Sequence, residues 1–102
     1  MSMLHTVNKS PFEKTSLDSC LRFAREGASI LLLEDGVYAA MRGTTAEEKM
    51  IAAGNRHKIF VLGPDLKARG LALENVIEGI ETVDYGGFVD LTVSHDNVQS
   101  WL

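Results

Sequence analysis

The sequence predicts an α/β fold, a three-layer α/β/α arrangement around a mainly parallel sheet of four to five strands. Three observations carry this expectation. Strand-like apolar runs alternate with helical segments along the chain, the pattern of a layered α/β domain. Two of those runs, SILLLE at 29–34 and KIFVLG at 58–63, are continuous rather than alternating, as in strands covered on both faces. The chain has 102 residues, 45% of them apolar and 24% charged, which suits a single domain over 1–102 with a modest core.

The elements follow in order. MLHTV at 3–7 reads as the first strand. Thr15 precedes SLDSCLRFARE and can cap a helix, with Asp18 three residues on and Gly27 as the stop. After the strand at 29–34, Asp35-Gly36 is a turn signal. TTAEEKMIAAG then repeats the helix grammar, with Thr44 as cap, Glu47 three later and Gly54 as stop. Beyond the strand at 58–63, GPDLKARG puts Pro64 at a helix's first position and ends at Gly70. IETVDY at 80–85 reads as a fourth strand, and Asp84 can cap a last helix running to about His95. The tail NVQSWL is read as a short fifth strand or an extended arm. Right-handed crossovers place helices on both faces of such a sheet.

Charge and composition exclude several classes of function. The formal net charge is −4, which argues against nucleic acid or an anionic membrane as the main partner, since both select clustered Lys and Arg. No apolar run approaches a membrane span, and the start MSMLHTVNKS lacks the apolar segment of a signal peptide. A cytoplasmic protein is therefore expected. One cysteine cannot form an internal disulfide, and His5, His57 and His95 lie too far apart in sequence to make a metal motif. No cofactor fingerprint is present: the glycines of GPDLKARG lack the spacing of a phosphate loop or a dinucleotide-binding turn.

Cys20 is the one candidate for covalent chemistry. On a helical wheel it falls within the arc of Leu17, Leu21 and Ala24, where a free cysteine serves as a small apolar residue. A reactive cysteine needs a helix N-terminus, a cation or a base, and none stands at its helical neighbours Ser16, Leu17, Phe23 and Ala24. His5 on the first strand is read either as a base or as a hydrogen-bonded residue. Lys9 and Ser10 follow that strand, on the edge where a parallel sheet binds ligands, and offer a weak anion site. The Asp35-Gly36 turn by itself explains EDGVYAAMRG, while an exposed apolar patch of Tyr38 and Met41 is the functional alternative there; Asp65 and Arg69, four apart, are expected to pair on a solvated face.

Taken together, MLHTVNKSPF, LLLEDGVYAA, VLGPDLKARGL and VDYGGFVDLTV resemble the DsrH/TusB family, in order and over nearly the whole chain. The resemblance implies a DsrE-like fold. It implies a subunit of a sulfur-relay complex, a hexamer with two copies each of this chain and of DsrE/TusD-like and DsrF/TusC-like partners, served by a DsrC/TusE-like sulfur carrier. The established sulfur-carrying cysteine of the family belongs to the DsrE/TusD partner. The cysteine in LDSCLRFA and the closing VQSWL look more like the DsrH branch, which acts in oxidation of stored sulfur, than the TusB branch, which serves 2-thiolation of the tRNA wobble uridine. Cys20 matches the DsrH-type cysteine and is the residue a persulfide would occupy; packing and sulfur handling both stay open for it.

Overall fold

The computed structural model describes residues 2–102. Its five strands are β1 (Met3–Val7), β2 (Ser29–Leu32), β3 (Lys58–Leu62), β4 (Glu81–Val83) and β5 (Asn97–Trp101). They form one sheet in the order β4-β3-β2-β1-β5, and every neighbouring pair is parallel. The tail is thus a fifth strand, and the expected three-layer, mainly parallel arrangement is the observed one. β1 lies between β2 and β5, with Val7 level with Leu32 of β2 and Trp101 of β5.

Four helices cover the sheet: α1 (Ser16–Phe23), α2 (Glu47–Gly54), α3 (Gly63–Ala68) and α4 (Tyr85–Ser94). The chain steps in one direction from β1 to β4, then returns to lie beside β1. Right-handed crossovers consequently put α1, α2 and α3 on one face and α4 on the other. On the first face Val7, Ile30, Leu32, Ile59 and Val61 pack with Leu17 and Cys20 of α1, Met50 of α2 and Leu66 of α3. The opposite pleat presents Leu4, Leu31 and Leu62, all buried. There His95, at the end of α4, accepts from the Ser29 hydroxyl at 2.9 Å.

The helix ends correct some expectations. Thr15 stands before α1 without a side-chain cap bond. The Thr44 hydroxyl accepts from Ala46 N (3.2 Å) and the Glu47 carboxylate from Gly43 N (2.8 Å), so these residues shape the turn before α2 rather than bond its first amides in a capping box. Asp84 does cap α4, accepting from Gly87 N at 2.7 Å. β2 stops at Leu32, short of Glu34, because Glu34–Ala40 folds into a 3₁₀ helix. That segment turns back on β1: a methyl at Gly36 would come within 2.1 Å of the Val7 carbonyl oxygen, so only glycine fits.

Candidate functional site

Cys20 lies in the middle of α1, on the side turned to the sheet, and is fully buried. Its neighbours in the core are apolar, and no hydrogen bond joins its thiol to His5 or His57. Burial pushes the thiol up to about 12. Burial thus disfavours the thiolate that a nucleophile, or exchange with a partner persulfide, requires. In this state Cys20 fills space.

His5 is also buried, and its role is set by Trp101. The indole Nε1–H can only donate, and it reaches His5 Nδ1 at 3.0 Å. His5 is therefore neutral, with its proton on Nε2. Burial first, then the nearby His57, holds its pKa below the ordinary value. His57 is buried as well and donates from Nδ1 to the Ala28 carbonyl at 3.2 Å. Phe23 stacks on Trp101 with ring centroids 6.2 Å apart, which closes the end of α1 over β5. A groove of about 510 Å³ runs past His5, Phe23, Arg25 and Gln99 at the opposite end of the strands from the usual ligand edge.

Loop-to-loop bonds tie the C-terminal ends of β2 and β3 together, while past the ends of β3 and β4 an open cavity of about 430 Å³ is lined by Gly63, Thr82, Val83, Asp84 and Gly87. Glu34 has a left-handed backbone (φ +50°), and its N–H donates to the Asp65 carboxylate at 2.6 Å. Arg69 pairs with Asp35 at 2.9 Å and donates to the Asp65 carbonyl at 3.3 Å. The expected Asp65–Arg69 ion pair is thus replaced by two bonds from α3 to the segment after β2. Tyr38 is half-buried and Met41 buried, so the exposed patch, the functional alternative there, is absent: the 3₁₀ helix turns both inward. Ser10 Oγ accepts from Phe12 N within its own turn, so Ser10 serves the local fold rather than an anion. The Asn8 side-chain oxygen is buried there without a partner among the described residues.

No group of residues with metal-ligating side chains is found among the described residues, and no helix there is long and apolar enough to cross a membrane. The arrangement has a buried thiol, a histidine committed to an indole, and a ligand edge closed by loops beyond β2 but open beyond β3 and β4. The feature not read from the sequence is the outer side of α4. Its Tyr85, Val89 and Val93 stand exposed on one side. The four-residue spacing of these residues was the available signal.

Comparisons with known proteins agree with one another. A family model described as "DsrH like protein" matches residues 9–98. Protein TusB of Pectobacterium parmentieri is 38% identical over 99 residues, covering 97% of this chain and all of that protein. Protein TusB of Shigella flexneri is 40% identical over the same share of each. Among solved structures, the ychN protein of E. coli superposes with a TM-score of 0.84 at 20% identity, over 98% of both chains. A protein of unknown function from Methanobacterium thermoautotrophicum does so with 0.72 at 15%, over 96% of both. At these identities the structural likenesses speak for the fold, while the family match and the full-length sequence relatives speak for descent. The chain belongs to the DsrH/TusB family.

Proposed function

We propose that this chain is a non-catalytic subunit of a cytoplasmic sulfur-relay complex, a single domain that assembles with DsrE/TusD-like and DsrF/TusC-like partners, two copies of each, and helps dock a DsrC/TusE-like carrier. The observation that carries the reading is the state of Cys20 in a chain related along its whole length to TusB proteins. A sulfur carrier must present a thiolate to a partner's persulfide. Here the only thiol is buried and strongly protonated. Sulfur would then travel on a partner's cysteine, and this subunit would contribute structure and surface.

The test is sulfur transfer followed by intact mass spectrometry. The chain alone, given a persulfide donor, gains no sulfur atom on Cys20 and passes none to the carrier. The complete complex transfers, and still does so with Cys20→Ser in this chain. Loading of the isolated chain, with transfer at the rate of the complex, would overturn the reading in favour of a Cys20 persulfide.

Within the relay, Cys20 and the closing VQSWL support a role in oxidation of stored sulfur. The TusB names of the relatives favour a second reading, 2-thiolation of the tRNA wobble uridine. Expression in a strain lacking its own TusB separates the two. Restored 2-thiouridine supports the second, and its absence despite an assembled complex supports the first.

A further inference from the structure

The outer face of α4 is unusual in two ways at once. Tyr85, Val89 and Val93 recur every four residues, which aligns them in one ridge, and they are 60%, 58% and 79% exposed. Val98 of β5, on the same side of the sheet, is exposed as well. A helix that is merely a surface layer carries polar groups outward, whereas the only charged residue within α4 is Asp90. An uncovered apolar ridge of this kind marks a contact with another molecule.

The surrounding charge says which kind. All ten Lys and Arg lie in residues 1–69. Residues 70–102 carry Glu74, Glu78, Glu81, Asp84, Asp90 and Asp96 and no Lys or Arg, with His95 the one imidazole. Three of these interleave with the ridge: Asp84 just before Tyr85, Asp90 just after Val89, and Asp96 between Val93 and Val98. All three are exposed, and Asp84 and Asp90 have no basic partner among the described residues. An anionic membrane or a nucleic acid is repelled by such a rim. A second copy related by a two-fold axis would set the same acids against one another.

We infer that α4 and Val98 form a docking face for a different protein chain, one whose apolar contact surface is edged with lysine and arginine. Apolar burial at the ridge supplies the affinity, and the acidic rim supplies the selection against a second copy. The identity of the partner in the test rests on the sulfur-relay reading.

The experiment measures association of the full chain with the DsrE/TusD-like and DsrF/TusC-like subunits of the same genome by sedimentation velocity, across salt concentrations. Two variants are compared with the wild type: Asp90→Lys, and the triple change Tyr85→Ser, Val89→Ser and Val93→Ser. Each is checked for an unchanged melting curve. The expected result is weaker binding, by about 100-fold for the triple variant and about 10-fold for Asp90→Lys, the latter difference shrinking in high salt. Asp90 is exposed on the helix surface, so its variant keeps the test valid if the triple one fails to fold. Wild-type binding by both variants would overturn the docking face and leave the relay reading standing. A wild-type homodimer lost in the triple variant would overturn the choice of occupant. A wild-type chain that binds neither subunit would overturn the relay reading and this partner with it.

Discussion

Cys20 shows how burial can set a side chain's chemistry. Its sulfur is enclosed by the apolar residues of α1, α2 and the sheet, and what raises its pKa to about 12 is burial alone, with no charge nearby to reverse the effect. Two measurable consequences follow. A thiol reagent should modify native Cys20 only at the rate of local or global opening, so modification should accelerate in parallel with unfolding as denaturant is added. Cys20→Ser should destabilise the chain by about 1–3 kcal/mol, because it sets a hydroxyl in a site without a partner. Cys20→Ala, which removes only the sulfur, should cost less. Fast native labelling, or a serine variant as stable as the wild type, would mean that the site opens to water and that packing is not its role.

Among the elements, α4 is held most lightly. None of its residues is fully buried, and its first turn contains Gly86 and Gly87, which favour the unfolded chain. Asp84 offsets this by accepting from Gly87 N at 2.7 Å. Asp84→Ala should lower stability by about 1 kcal/mol, and hydrogen exchange should speed up in α4 before it does in β1 or β2. Uniform acceleration across the sheet would show instead that α4 and the core open as one unit. Asp84 could be recognised from sequence because a cap acts within three residues. So could β1, the continuous runs of β2 and β3, and Pro64 at the start of α3. The features that escaped depend on distant segments. Glu34 leaves the strand because Asp65 holds its amide, Arg69 turns from Asp65 to Asp35 because the 3₁₀ helix lies beside α3, and Met41 goes inward because that helix folds against β1. At the site, Cys20's place in an apolar arc was legible, whereas the Trp101 bond to His5 was not, since it joins residues at the two ends of the chain.

That joining of ends governs the molecule as a whole. β5 completes the sheet by pairing with β1, and side chains fasten it along its length. Asp96 accepts from Ser2 N at 3.0 Å, Thr6 donates to Ser100 at 3.2 Å, Trp101 donates to His5 at 3.0 Å, and Ser16 donates to the Leu102 carbonyl at 3.1 Å. Of these, the His5 bond is the one that added protons can break. A second proton on His5 would occupy Nδ1 and abolish the bond from the indole. Both His5 and His57 have pKa values lowered from 6.5, chiefly by burial. The folded state therefore binds fewer protons than the unfolded one just below that pH. Their contribution to stability is complete above about 6.5 and is lost as pH falls through their lowered folded values. Trp101 is the only tryptophan, so its fluorescence reports the same event. Denaturant melts should show stability level above pH 7 and falling as pH drops below about 6.5, with native Trp101 emission shifting only at lower pH, as folded His5 takes up its second proton. His5→Leu, paired with His57→Leu, should flatten the curve in that window. A wild-type chain whose stability stays constant from pH 7 down to pH 5.5 would show that the buried histidines do not couple folding to protonation.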